Sequence, residues 1–297
     1  MRLITHKEIN KSKWDSLVNE SFISSLYLNS WYLDAACPSW DALVWDDYQA
    51  AIPLPTKRFF LFKKIYQPYF VQQTGLMSMP DFEIQKAFYD LENWKTYFYI
   101  AIQIQFNTHT IFPSDFNVKQ KWNLVSKKNY ALKLNEEYVI LKKHYNENRR
   151  RNIKKAISLG YTVQTSTDIE PAIEMYTQNQ APKQNGLKKV VYEVLRRIFA
   201  TCAEQNLAQL LTCSNSENET VSYALFVKWH NRIYYLFGTM NEVGRQCSAI
   251  SLLFDHVIQC NATKPLTLDF EGGNLESIGN YFASFGAQLD EYISLSK

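Results

Sequence analysis

The chain has 297 residues, 46% of them hydrophobic and 21% charged, with a formal net charge of +3. That apolar content supplies two cores of about 150 residues each and excludes a disordered chain. So small a net charge also excludes a molecule that coats polyanions over its whole surface.

Cys37, Cys202, Cys213, Cys247 and Cys260 include no CxxC pair, which reads as reduced thiols of a cytosolic protein. The start, MRLITHKEINKSKW, has no apolar signal-type segment, and no apolar run is long enough to cross a bilayer. A cytoplasmic location is expected. The sequence carries no HExxH, GxSxG, GxxxxGK[ST] or GxGxxG, and His6, His109, His144, His230 and His256 are scattered. Metalloprotease, serine hydrolase, P-loop and Rossmann chemistry are therefore not expected, nor is a metal site.

In chain order, Arg2–Thr5 predicts a strand and Lys7–Val18 a helix, with Ile9, Trp14, Leu17 and Val18 roughly on one face. Asn29 or Ser30 starts a short helix that Pro38 ends. Residues 42–45 and 49–54 alternate as strands around Asp46-Asp47. An aromatic segment, 57–80, is broken by Pro68 and Gly75. Asp81 predicts a helix start running to Trp94, Tyr97–Phe106 a long strand, and Tyr130–Leu134 another after a looser segment.

Beyond the midpoint, 161–165 predicts a strand, Asp168 a helix to about Gln180, and Leu187–Glu204 a second helix with Leu187, Val191, Leu195 and Ile198 on its apolar stripe. Ala208–Cys213 follows as a strand. Val221–Trp229 and Arg232–Thr239 read as a hairpin closed at His230-Asn231. Ser248 caps a helix whose apolar set is Ile250, Leu253, Phe254, Val257 and Ile258. Leu266–Phe270, a helix over 275–284 and a strand over 288–293 complete the order. Each half reads β-α-α-β-β followed by further strands and a helix. Two mixed α/β domains are expected, 1–135 and 136–297.

The most charged stretch is Tyr145–Gly160. Between Lys119 and Lys155 there are twelve Lys or Arg against three Glu. On a helix, Arg150 with Lys154 and Arg151 with Lys155 form like-charged i, i+4 pairs, each costing a few tenths of a kcal/mol. A phosphate would relieve that cost. Arg149, Ile153, Ala156 and Ile157 fall towards the opposite, buried side. The basic face is either an anion site made of Arg150, Arg151, Lys154 and Lys155 or a solvated surface.

Three segments carry a family resemblance. Asn148-Arg149-Arg150 with Ile153-Lys154-Lys155-Ala156 is similar to the segment that opens the second domain of FemAB-like proteins. Leu268-Asp269-Phe270-Glu271-Gly272, with Phe282, Phe285, Gly286 and Ala287, is similar to their closing segment. Tyr66-Gln67-Pro68 with Gln72, Gln73 and Gly75 resembles a first-domain segment of a Bacteroidetes-type branch. The strand and helix order is that of the GNAT acyltransferase fold, so the resemblance implies two GNAT-like domains in tandem, the first on the acceptor side and the second on the donor side.

The resemblance further implies an enzyme that moves an acyl or aminoacyl group to an amine, with acyl-CoA or aminoacyl-tRNA as co-substrate and no tightly bound cofactor. A small-molecule or peptide amine would be the acceptor, tRNA a further candidate partner, and the cleft between the domains the place of attack. Asn241–Ser248 would be the donor loop, with Arg245, Gln246, Ser248 and Ala249 at the donor pyrophosphate. Its glycine pattern is degraded, with one glycine, Gly244, upstream. Glu271 and Asp269, at a strand end before Gly272-Gly273, are candidate bases for the ammonium proton, though Asp269 also reads as a buried structural acid. Tyr66, Gln67, Gln72 and Gln73 would meet a polar acceptor or simply pack a loop. Where the peptidoglycan ligases have a lysine before the last Phe-Gly, this chain has Ala283, which favours acyl-CoA over aminoacyl-tRNA. A non-catalytic RNA- or phosphate-binding module and a decayed GNAT site are the alternatives.

Overall fold

The computed structural model describes residues 1–116, 122–179 and 189–297. Lys119, Gln180 and Leu187, named above, lie outside them.

The elements run β1 (Arg2–Ile4), α1 (Lys11–Glu20), α2 (Ser30–Ala36), β2 (Trp40–Trp45), β3 (Ala50–Phe59), β4 (Phe62–Ile65), β5 (Met77–Ser78), α3 (Ile84–Glu92), β6 (Gln103–Gln105) and β7 (Asn123–Lys127). There follow β8 (Tyr130–Lys133), α4 (Tyr138–Lys143), α5 (Glu147–Ser158), β9 (Thr162–Ser166), α6 (Glu170–Asn179), α7 (Lys189–Glu204), β10 (Ala208–Ser214), β11 (Thr220–Trp229) and β12 (Arg232–Met240). The last are α8 (Glu242–Gln246), α9 (Ala249–Asn261), β13 (Thr267–Asp269), α10 (Glu276–Ala283), β14 (Gln288–Leu289) and β15 (Tyr292–Ser296).

The chain divides into two compact units. One joins Met1–Lys127 to Glu291–Lys297, and the other is Lys128–Asp290. Against the expected ranges 1–135 and 136–297, residues 128–135 fall in the second unit and 291–297 in the first.

In the first unit, β1-β2-β3-β4 form an antiparallel sheet, with β5 also on β3, and β15 lies between β6 and β7 in another. β2 is buried along its whole length. Alternation then sorts its side chains between two cores: Trp40, Ala42 and Val44 into one with Trp14 and Leu17, Leu43 and Trp45 into the other with Phe88 and Phe106. The buried Asp41 receives Lys63 at 2.7 Å and the Tyr99 hydroxyl at 3.2 Å.

Several expectations change here. Of the long strand expected over 97–106, Gln103–Gln105 pairs as a strand. The helix expected from Asp81 starts at Ile84, with Glu83 at its N-cap. The strand over 288–293 splits, because Gln288-Leu289 pair with β8 and Tyr292–Ser296 pair with β6 and β7.

The second unit is a seven-stranded sheet in the order β14-β8-β13-β12-β11-β10-β9, antiparallel except for β12 with β13. The β11–β12 hairpin turns at His230-Asn231, with His230 in the left-handed region (φ 48°). Helix α9 is buried without a break from Ala249 to Asp255 and again at Val257 and Ile258, so it forms the centre of this core.

Candidate active site

The site grows from the one parallel pairing among the described residues of the second unit. β13 matches Arg232, Ile233 and Tyr234 of β12 through Thr267, Leu268 and Asp269, and there the ladder ends, although β12 continues to Met240. Parallel strands need a crossover, which α8 and α9 supply. A bulge between Leu225 and Phe226 shifts β12 against β11 at the level of Tyr235 to Phe237. Just beyond it a Cβ on Gly238 would lie 1.9 Å from the Tyr235 hydroxyl and 3.0 Å from Ile250. Glycine is thus required for Tyr235 to fold across its own strand towards the first turn of α9.

That first turn is also where a buried charge arrives. Asn146 caps α5 by accepting from the Arg149 backbone N–H at 2.8 Å, and Arg149 then shares the inward face with Ile153 and Ala156. Arg149 as a whole is 5% exposed. It donates through Nε to Ser284 Oγ at 3.0 Å and through a terminal nitrogen to Ser251 Oγ. It stacks on the rings of Tyr281, at 4.2 Å, and Phe285, at 4.7 Å. No carboxylate among the described residues pairs with it. Burial lowers its pKa, while the phenols of Tyr281 and Tyr145 act the other way. A buried cation without a counter-carboxylate costs several kcal/mol of desolvation, and such groups concentrate at functional sites.

Tyr281 of α10 stands 3.0 Å from Ser251 Oγ. Burial raises its pKa, with Arg149 and the Ser251 hydrogen bond opposing. The phenol is therefore protonated at neutral pH. Tyr235 is raised by burial as well, and by Tyr281. Arg149, Tyr281, Ser251 and Tyr235 were not among the residues expected to carry chemistry. The readable signal was an arginine on the apolar side of a basic helix.

The expected residues fare differently. Asp269 Oδ1 accepts from Asn129 Nδ2 at 2.9 Å and from the Glu271 N–H at 3.0 Å, while Oδ2 accepts from Arg232. Its oxygens are thus occupied in tying the end of β13, as the structural-acid reading expects. Glu271 is half-buried and left-handed (φ 59°), and the next N–H, of Gly272, donates to Asn129 Oδ1 at 2.9 Å. Asn129 thereby braces both ends of the turn that presents Glu271.

Asn241–Gln246, expected as a loop, is instead the helical turn α8, capped by Asn241 on Gly244 N–H at 2.8 Å. Gly244 is there for space, since a Cβ would stand 2.3 Å from the Val221 carbonyl oxygen. Arg245 leans on Glu242 at 3.5 Å and Gln246 is exposed. Ser248 occupies the N-cap of α9 in the left-handed region (φ 59°), but its side chain makes no capping hydrogen bond, and Ala249 is buried. Cys247 is buried too, its thiol pushed up by that burial.

Arg150, Arg151, Lys154 and Lys155 all face outward and form no ion pair among the described residues. Arg150 donates to the Lys143 carbonyl at 3.1 Å, closing the end of α4, and Arg151 to Asn148 at 3.2 Å. Tyr66, Gln67, Gln72 and Gln73 belong to the first unit. There Gln67 donates to the Val71 carbonyl, and Gln73 joins Gln72 at 2.6 Å and the Thr108 N–H at 3.1 Å. Two of these amides therefore hold their own loop. Burial raises the Tyr66 phenol to about 12. Among the described residues no group of three His, Cys, Asp or Glu could hold a metal ion, and no helix is long and apolar enough to cross a membrane.

Such a βααβββ sheet, with a crossover helix before a short parallel strand, defines a class. Residues 143–281, all within the second unit, match the family model of the acetyltransferase (GNAT) domain. Over the whole chain the fold is that of FemX: its crystal structure aligns with a TM-score of 0.67 at 13% identity, covering 99% of this chain and 97% of that one. A conserved protein of unknown function from Bacteroides thetaiotaomicron aligns at 0.62 and 10% identity, covering 99% and 100%. L-PGS from Bacillus licheniformis aligns at 0.54 and 9% identity, covering 96% and 90%. No curated protein matches the sequence. The whole chain thus shares the fold of FemX, and the match to the acetyltransferase (GNAT) domain lies within its second unit.

Proposed function

We propose that the second unit transfers an acyl group from acyl-CoA to a primary amine of a small molecule or peptide. One observation carries this reading. The parallel ladder stops after three residue pairs beside the first turn of α9, and a protonated phenol, Tyr281, stands 3.0 Å from Ser251 in that turn. The first turn of a helix has N–H groups without intrahelical partners and a positive dipole end, a fit for the donor's pyrophosphate. Ser248 and Ala249 lie at this end, with Arg245 and Gln246 one turn earlier. Arg149 adds a positive charge beneath it.

In the reaction the amine nitrogen attacks the thioester carbonyl carbon. A C–N bond forms, the C–S bond breaks, and the leaving thiolate takes the Tyr281 hydroxyl proton. Glu271 accepts the proton that the ammonium must lose before attack and releases it to solvent; the second proton, lost from the nitrogen once the C–N bond has formed, returns through solvent to the Tyr281 phenolate. The products are an amide and free CoA. Acyl-CoA is preferred to aminoacyl-tRNA because Ala283 stands where the peptidoglycan ligases carry lysine.

Calorimetric titration of the full chain with acetyl-CoA tests the proposal. Saturable binding is expected, retained in Tyr281→Phe and lost on charge removal in Arg149→Met. Absence of binding up to about 1 mM, the weak end of specific affinities, sinks it. Salt-dependent tRNA binding, lost in the quadruple Gln variant of Arg150, Arg151, Lys154 and Lys155, would instead favour a nucleic-acid partner on the unpaired basic face.

A further inference from the structure

The first unit carries a feature that the chemistry of the second leaves unused. The β3–β4 hairpin reads Lys57-Arg58-Phe59-Phe60-Leu61-Phe62-Lys63-Lys64, and its tip is bare: Phe60 is 82% and Leu61 91% exposed. The pairing is Phe59 with Phe62, Arg58 with Lys63 and Lys57 with Lys64. That leaves Phe60-Leu61 as a two-residue turn, with Phe60 in the left-handed region (φ 53°). Such a turn ordinarily takes Gly, Asn or Asp, and a bulky residue with positive φ is an outlier. Two large apolar residues there are unfavourable for the turn and for solubility, so they answer some other requirement.

The patch does not end with the hairpin. Lys63 exchanges backbone hydrogen bonds with the neighbouring segment, its N–H donating to the Phe98 carbonyl at 3.4 Å and its carbonyl accepting from Ile100 at 3.0 Å. Tyr97, Phe98 and Ile100 on that segment are exposed as well. The result is a protruding apolar crest, not a groove. Natural monomers avoid large exposed apolar patches except at protein or membrane contacts.

Charge decides between those two. Residues 56–65 and 95–100 contain five Lys or Arg and no acid. Lys63 is taken by Asp41 at 2.7 Å. Lys57 and Lys64 share a face with Phe59 and Phe62, Lys64 lying 5.9 Å from the Phe59 ring, and neither pairs with a carboxylate among the described residues. Aromatic and leucine side chains at a tip, with long cationic chains set just behind them, match a bilayer interface: the rings enter the headgroup boundary and the ammonium groups reach lipid phosphates.

We infer that the β3–β4 hairpin tip, Phe59–Phe62, with Tyr97 and Phe98, is a peripheral anchor that docks the protein on an anionic lipid surface. The tip enters the interface without spanning it.

Vesicle co-sedimentation of the full chain tests this, using phosphatidylcholine alone and phosphatidylcholine mixed with phosphatidylglycerol. Binding is expected to the mixed vesicles, weakening as salt rises. Phe60→Asp with Leu61→Asp should reduce it at least about tenfold, and Lys57→Gln with Lys64→Gln by about fivefold per cation. All four positions are surface ones, so circular dichroism should be unchanged. A Leu61→Cys, Cys260→Ser chain carrying an environment-sensitive dye should shift to the blue on mixed vesicles. The inference is overturned if the native chain ignores mixed vesicles, or if the double Asp variant binds them equally well. It is likewise overturned if sedimentation velocity shows a dimer that the double Asp variant abolishes while vesicle binding is absent, since the crest would then be a contact between copies.

Discussion

Replacing Asp269 by asparagine separates a structural acid from a catalytic one. The Asp269 carboxylate is buried and accepts three hydrogen bonds, from Asn129, the Glu271 N–H and Arg232. Asparagine keeps one acceptor oxygen, but its amide nitrogen would face the Arg232 guanidinium, donor against donor. Removing one partner of a buried ion pair costs about 3–5 kcal/mol. Arg232 retains Asp290 at 3.8 Å, which places the cost near the lower end. For a unit of this size each kcal/mol moves the melting temperature by about 2–4 °C, so the second unit's transition should fall by about 6–12 °C. Scanning calorimetry reads the shift, and acetyl-CoA titration below the transition should give near-native affinity. Replacing both Asp269 and Arg232 by leucine should recover part of the loss, because no charge is then stranded. A D269N chain that melts within about 2 °C of native but has lost turnover would refute the reasoning and make Asp269 the base.

Tyr281→Phe should leave donor affinity intact and lower turnover by about a hundredfold or more, read by thiol release with an amine acceptor. Arg149→Met should change stability by no more than about 2 kcal/mol, because the lost hydrogen bonds and ring stacking are offset by the relieved desolvation; urea titration checks this. Gly244→Ala should destabilise the second unit by about 1–3 kcal/mol in the same assay, since its Cβ would meet the Val221 carbonyl at 2.3 Å and that atom is backbone. Cys260 is the exposed thiol of five, and burial pushes Cys202 and Cys213 up to about 12. Ellman's reagent at neutral pH should therefore react quickly with one thiol, absent in Cys260→Ser, and with the rest only in denaturant.

Elements whose burial follows their periodicity were legible. The β11–β12 hairpin could be placed at His230-Asn231 because two apolar runs flank it, and α9 because its apolar residues recur at helical spacing. β7 was not, because Leu124 and Val125 are exposed and the strand exists through its pairing with β15, some 170 residues away in sequence. The aromatic run over 97–102 misled for the opposite reason: its residues suit a strand, yet Tyr97, Phe98 and Ile100 point to solvent. At the site, Glu271 and the α9 N-cap were readable from the strand–turn–helix order. The Arg149, Ser251, Tyr281 and Ser284 cluster was not, since an arginine on an apolar stripe looks the same whether it reaches out or is buried. Only α9 and α10, distant in sequence, decide it.

The position of β15 has a further consequence. Its residues complete the β6-β15-β7 sheet of the first unit, and they follow the whole of the second unit in the chain. The second unit is one uninterrupted segment and can close as soon as it leaves the ribosome. The first unit cannot: until β15 is synthesised, β6 and β7 have no strand between them and Leu295 is missing from the core around Phe88 and Phe106. Emergence from the ribosome and completion therefore run in opposite order, and the half made first is finished last.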